Sequence, residues 1–323
     1  MSWYVWHGGM RRLIYLAAVL FGISVVTFGL IALAPGDPAE TILRNRQEAP
    51  SAERIAQLRM ELGLNDPVPM RYARWLGCAI QGDLGRSWQT GEPVARELLA
   101  RLAATMELAL ATIVFVVLLS TGLGVLGAMF NGRLPDRLIR VLSIVGLSLP
   151  NFWLGLLLIM FLSLHLNLLP LMGRGGPAHL VMPVITLGLA VAVMQGRILR
   201  ASLLEVLGQD YVRFAYAKGL NTWGVLRRHL LKNALPPVLT MWGISLGHLL
   251  GGAVIVETIF SWPGLGKLAV DAILARDIPL VQGAVLFMAL VFVLANQITD
   301  LLQRYLDPRL RGERTHRNGE RLD

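Results

Sequence analysis

Six long apolar runs without a charged side chain constrain the fold of this chain more than any other feature. They occupy residues 13–33, 108–130, 141–164, 180–196, 234–256 and 278–299. A helix rises about 1.5 Å per residue, so about 20 residues cross roughly 30 Å of hydrocarbon, and each run is near that length. The runs therefore predict an all-α, polytopic membrane protein with six transmembrane helices.

The composition agrees with this interpretation. Hydrophobic residues make up 54% of the 323 residues and charged residues only 16%, and the mean hydropathy of +0.57 exceeds that of soluble globular domains. None of the six runs contains Asp or Glu in its interior, and no H-E-x-x-H motif occurs. These patterns argue against a membrane-embedded hydrolase, which needs acidic or metal-binding groups within its spans.

The distribution of Lys and Arg predicts which side of the membrane each loop occupies. With six spans both termini lie on one side, and that side carries eighteen of the thirty Lys and Arg. The nine in the long stretch 34–101 are balanced by nine Asp and Glu, and long segments cross membranes largely regardless of charge. The short loops therefore predict cytoplasmic N- and C-termini. The net charge of +9 is mostly a topology signal, so we expect no nucleic-acid partner.

The sequence predicts three parts. Residues 1–102 combine an N-terminal anchor helix with an extracytoplasmic helical region, residues 103–310 form the transmembrane core, and 311–323 form a disordered cytoplasmic tail. In the external region Ser51 is placed to cap a helix that Gly63 closes. Cys78 is the only cysteine, so no intrachain disulfide is possible.

A polar, basic segment between the fourth and fifth apolar runs has the clearest functional pattern. In residues 210–237 the small residues Ala215, Ala217 and Gly219 alternate with bulky and charged ones. Small side chains let backbones approach closely, and flanking charges fix the register. The pattern predicts a cytoplasmic helix that docks into another protein. The alternative is an inside loop that is basic only because inside loops generally are.

Several separated motifs resemble those of ABC importer permeases for dipeptides, oligopeptides and nickel, and in appearance the nickel-type permeases most. They include Ala-Pro-Gly-Asp-Pro at 34–38, Gly-Asp-Leu-Gly-Arg-Ser at 82–87, and the segments 148–155, 197–202 and 251–266. Together they cover nearly the whole chain in the family's order. The resemblance implies the type I ABC importer permease fold, residues 103–310 as its transmembrane domain, and a bacterial inner membrane location.

The family's cytoplasmic docking motif, Glu-Ala-Ala followed after three residues by Gly, is matched in part. Ala215 and Gly219 fill the second Ala and the Gly, whereas Arg213 and Phe214 replace the Glu and the first Ala. The resemblance implies a coupling helix at 213–221, with Asp210 as a substitute for the missing acid. The implied ATPase-coupling residues are Asp210, Arg213, Ala215, Ala217, Gly219, Leu220 and Asn221.

The resemblance also implies a transport subunit rather than an enzyme, with no catalytic residue and no cofactor on this chain. The sequence has no G-x-x-x-x-G-K-[ST] run, so ATP and magnesium are expected on partner subunits. The implied partners are a second homologous permease, two ABC ATPases, an extracytoplasmic solute-binding protein and membrane lipid. ATP-driven closure of the ATPases is then expected to rock the spans between inward and outward openings.

His248, within the fifth run, and Glu257, just after it, are the candidate pathway residues, because ionisable groups in membranes are costly and usually functional. A helix turns roughly 100° per residue, so a nine-residue spacing places them about 180° apart and not on one ion. The alternatives are a histidine bonded to a neighbouring helix and a carboxylate that pins the following turn. No metal ligands can be assigned.

The substrate is the least constrained feature. The resemblance favours nickel, as the ion or a chelate, and leaves dipeptides or oligopeptides as the alternative. A third possibility is a channel that works without ATP, which would not need the docking segment 210–237. Charge reversal in that segment would leave the flux of such a channel intact.

Overall fold

The structure, a computed structural model, describes residues 2–33, 36–45 and 51–306, and its regular elements are helices. The predicted tail 311–323 lies outside the described residues. In chain order the helices are α1 (Ser2–Leu33), α2 (Pro38–Asn45), α3 (Ala52–Glu61), α4 (Val68–Ile80), α5 (Val94–Met129), α6 (Leu134–Ser148), α7 (Asn151–Leu158, continued by a π-helical turn Ile159–His165), α8 (Pro177–Leu207), α9 (Asp210–Ala217), α10 (Thr222–Val225), α11 (Leu231–Ile259), α12 (Leu265–Leu274) and α13 (Ile278–Leu306).

Among the described residues, five helices are long and apolar enough to cross a membrane. They are Ile14–Leu33, Val94–Met129, Pro177–Leu207, Thr222–Ile259 and Ile278–Thr299. Each contains one of the predicted runs to within one residue, so the all-α membrane architecture is confirmed. Thr222–Ile259 runs through α10, a π-helical turn and α11, so the second half of the basic segment extends the fifth span as helix.

The third apolar run differs from the prediction of one continuous span. α6 and the helix Asn151–His165 are bent by 105°, and together they are the sixth candidate span. Pro150 lies at the break, and Leu149 before it has an extended backbone. Proline lacks an N–H and disfavours helical backbone in the preceding residue, which explains a break here. Pro183, by contrast, lies within α8.

The described residues of 2–105 and 263–293 form one compact unit. Here α2 and α3 share a small core of Ala39, Ile42, Leu43 and Leu58. The Ser51 side chain caps α3 by accepting from the Arg54 N–H, and Gly63 follows with φ of +62°, so both predicted helix-end signals are confirmed. A second core joins the start of α5 to α12 and α13 through Val94, Leu98, Leu265, Leu268, Ala269, Ala272, Leu280 and Ala284.

The described residues of 106–262 and 294–306 form the other compact unit, in which α8 packs against α6, α7 and α11. Small residues also let α8 approach α5 closely, as is usual in membrane helices. A Cβ built on Gly196 would lie 3.1 Å from the backbone oxygen of Ser120, and one on Gly188 would lie 2.9 Å from Phe115. This unit contains the whole predicted docking segment.

Candidate functional site

The predicted docking helix is α9, a two-turn helix between α8 and α10. α8 is capped by Gly208, and α9 begins at Asp210 and ends at Ala217. Gly219 follows with φ of +83°, a left-handed conformation that favours glycine. The predicted coupling helix 213–221 is therefore corrected, because this range contains the end of α9 and the turn that follows it.

Two further predicted coupling residues shape the turn after α9. The Asn221 side chain caps α10, its Oδ1 accepting from the Gly224 N–H at 2.8 Å. Leu220 packs against buried apolar side chains of the same unit. A helix cap of this kind contributes about 1 kcal/mol, so Asn221 has a local structural role whatever else it contacts.

One face of α9 is buried against this chain itself. Val212 and Ala215 are only 1% and 5% exposed. They belong to a group of buried side chains, here called the anchoring cluster: Ala128, Leu199, Leu203, Val212, Ala215, Val225, Leu226, Leu230, Ala234 and Val238. Ala217 and Gly219 are exposed, so the three small residues do not share one face, and their coupling role stays a prediction. The small side chain of Ala215 is needed for packing within this chain.

The remaining surface of α9 and α10 presents aromatic and basic side chains to solvent. Phe214 is 68% exposed and Trp223 is 63% exposed. We call the exposed set the aromatic-basic surface: Tyr211, Arg213, Phe214, Tyr216, Lys218, Trp223, Arg227 and Arg228. Exposed apolar patches rimmed by polar residues mark interaction sites, and aromatic residues and arginine dominate binding energy at interfaces.

Sequence reasoning did not identify this surface. Phe214 was noted only as a departure from the docking motif, and Trp223 was not singled out. The available signal was the presence of large aromatic residues in a segment that is otherwise polar and basic. Because Ala217 and Gly219 are also exposed, they lie on the outer side of α9 and its turn together with the aromatic residues.

Charged side chains in and beside the aromatic-basic surface are exposed to solvent. Asp210 and Arg213 form an ion pair at 3.6 Å with side chains 84% and 76% exposed, and exposed pairs of this kind contribute little. An open cavity of about 650 Å³ lies at the turn after α9, lined by Gly219, Leu220, Asn221, Trp223, Gly224, Arg227 and Arg228. Two arginines in its lining suit an anionic group.

The two candidate pathway residues lie on different sides of α11. His248 is exposed at the surface of its unit, whereas Glu257 is completely buried. Exposed positions recur at helical spacing along one face of α11 around His248, namely Ile244, His248, Gly251, Ile255 and Thr258, and Gly252 beside them is also exposed. Within the described residues, no group of three or more His, Cys, Asp or Glu side chains is arranged to hold a metal ion.

The backbone around Glu257 forms a tight turn. The Glu257 carbonyl accepts from the Trp262 N–H at 2.8 Å, and the Trp262 side chain is fully buried. The Phe260 carbonyl accepts from the Gly173 N–H, also at 2.8 Å. These backbone contacts close the turn at the end of α11, and the role of the Glu257 carboxylate stays a prediction.

Comparisons with known proteins cover nearly the whole chain. Residues 120–312 match the family described as "Binding-protein-dependent transport system inner membrane component", and residues 9–109 match its N-terminal counterpart. The chain is 39% identical over 302 residues to the glutathione transport system permease GsiC of Escherichia coli K12. It is also 39% identical, over 330 residues, to the dipeptide transport system permease DppB of Alkalihalophilus pseudofirmus. Each alignment spans 94% of this chain and 98% of the relative.

A solved structure shows the same fold at lower sequence similarity. An inward-facing MetNI methionine ABC transporter chain aligns with a TM-score of 0.55 and 18% identity, over 65% of this chain and 96% of that chain. The fold is that of a type I importer permease, and the protein is a multi-pass inner membrane transport subunit rather than an enzyme. The chain belongs to the family of binding-protein-dependent transport system inner membrane components, as an ABC importer permease of the dipeptide and oligopeptide branch.

Proposed function

We propose that this chain forms half of a translocation pathway for short peptides and that α9 is its ATPase-coupling helix. The observation that carries the coupling role is the two-sided construction of α9. Its inner side is buried in the anchoring cluster, and its outer side exposes Phe214 and the neighbouring basic residues. A force applied to the outer side is therefore delivered to α8 and α11.

The partners follow from the family. A second homologous permease completes the pathway, two ABC ATPases supply ATP, magnesium and the power stroke, and a solute-binding protein delivers substrate from outside. Both termini and α9 are cytoplasmic in this arrangement. His248 faces the pathway or the second permease, because an ionisable side chain exposed in the middle of a span is unfavourable in lipid.

The substrate proposal rests on the relatives. GsiC is named for glutathione and DppB for dipeptides, so both names favour the peptide alternative for this chain. Nickel, as the ion or a chelate, stays a prediction without support from these names. A transport assay that offers a dipeptide, glutathione and nickel separately to the complex and its binding protein distinguishes the three.

Coupling is tested with matched aromatic substitutions in the reconstituted complex. Phe214→Ala should lower both ATP-dependent uptake and the amount of ATPase that binds to the permease (ATPase capture), whereas Phe130→Ala should change neither. Phe130 is also partly exposed and lies at the end of α5, outside the aromatic-basic surface. Truncation of a dominant aromatic contact typically costs 2 kcal/mol or more, about thirtyfold in affinity. Uptake that continues without ATP, or equal effects of both substitutions, would refute the coupling role.

A further inference from the structure

A completely buried carboxylate lies at the start of α6. The Asp136 side chain has no exposed surface, yet it is held by several donors. Arg200 of α8 forms a two-pronged contact, Nε to Oδ1 at 2.7 Å and a terminal nitrogen to Oδ2 at 3.0 Å. The Gly132 N–H donates to Oδ2 at 3.0 Å, and Arg140 approaches it at 3.3 Å.

Arg200 connects α8 to both sides of the turn between α5 and α6. Besides its contact with Asp136, it donates to the Asn131 side-chain oxygen at 2.8 Å. Its aliphatic stem passes over Gly127, where a built Cβ would lie 2.9 Å from the Arg200 Cδ. The planar guanidinium serves two acceptors in a fixed geometry that the point charge of a lysine does not reproduce.

The same part of α8 is attached to the docking helix. Leu199 and Leu203 flank Arg200 in sequence, are fully buried, and pack in the anchoring cluster with Val212 and Ala215 of α9. One short stretch of α8 therefore contacts α9 through apolar side chains and the α5–α6 turn through a charged one.

We propose that the Asp136–Arg200 pair is a positioning device that transmits movement of α9 to the bent pair α6–α7. This inference rests on the proposed coupling role of α9. The Asp136 side chain is completely buried and the Arg200 side chain is 20% exposed. Separating them removes two of the four contacts that hold the carboxylate, and loss of a partner is costly for a buried charge. The pair is therefore a stiff link, and it moves α6 together with α8. It also gives a role to the 197–202 motif.

The test measures substrate transported per ATP hydrolysed in the reconstituted complex. Arg200→Lys keeps the positive charge but cannot form the two-pronged contact. Asn131→Ala removes one hydrogen bond at an exposed residue, so this second variant should fold. Arg174→Lys is the control, because Arg174 also places two guanidinium nitrogens on a carboxylate, both on Oε2 of Glu107, but outside the α5–α6 turn and the anchoring cluster. A purely structural role would lower the amount of complex and leave this ratio unchanged.

We expect the ratio to fall by between about twofold and thirtyfold in Arg200→Lys, and less in Asn131→Ala, with ATPase capture intact. Arg174→Lys should match the wild type. Should Arg200→Lys fail to assemble, the Asn131→Ala ratio decides alone. Wild-type ratios in the intact variants would overturn this inference and leave the coupling role of α9 standing. Uptake by the wild-type complex that does not depend on ATP would instead overturn the proposed function, and this inference with it.

Discussion

Two alanines on α9 distinguish packing within the chain from contact with a partner. Ala215 is 5% exposed in the anchoring cluster, whereas Ala217 is exposed on the same helix. Ala215→Leu inserts three carbon atoms into a filled space, which typically costs about 1–3 kcal/mol. Ala217→Leu adds the same atoms at the surface, where substitutions usually stay within about 0.5 kcal/mol. We therefore expect only Ala215→Leu to destabilise the free permease.

The measurement is the thermal midpoint of the solubilised permease without its ATPase, together with protease sensitivity at residues 208–221. Ala215→Leu should lower the thermal midpoint and increase cleavage, because the larger side chain displaces α9 from the anchoring cluster. Ala217→Leu should leave both unchanged and affect only capture of the ATPase. A lowered midpoint for Ala217→Leu, or an unchanged one for Ala215→Leu, would refute the assignment of buried and exposed faces.

Three further predictions address other parts of the chain. Gly196→Ala should destabilise the α5–α8 contact by about 1–3 kcal/mol, because the new Cβ would approach the Ser120 carbonyl. Gly122→Ala is the control, since a Cβ there meets open space, and the thermal midpoints of the two variants are compared. Asp277→Ala should cost about 1–3 kcal/mol by the same measurement, because this buried carboxylate accepts from a hydroxyl and two backbone N–H groups, and Asp277→Asn should cost less. A membrane-impermeant thiol reagent should label the exposed Cys78 in intact spheroplasts, and labelling only in inverted vesicles would contradict cytoplasmic termini.

Features set by a few neighbouring residues were predictable from the sequence. The Ser51 cap, the left-handed Gly63 and the long apolar helices depend on short-range chemistry or on composition within one segment. The bend at Pro150 was not predicted, because Pro183 is the same residue type and continues as helix. A proline shows where a helix can break, and the packing of its neighbours decides whether it does.

Features that depend on distant contacts were not predictable from one sequence. The Asp136–Arg200 pair joins residues 64 positions apart, and nothing in either segment indicates the partner. The burial of Ala215 likewise depends on side chains of α8 and on the segment after α10. The position of the docking segment was predicted from its small and charged residues, but the direction of each side chain required the packing of the unit.

The shortness of α9 explains both why position 215 needs a small residue and why the large residue at 214 is exposed. A helix of eight residues is too short to be stable alone in water, so its helical form depends on burial of Val212 and Ala215. That burial fixes which residues point outward, and Phe214 is the largest apolar side chain among them. The departure from the docking motif at 214 therefore falls on the exposed side, where we propose that the ATPase binds. The match at 215 falls where this chain holds its own helix in place.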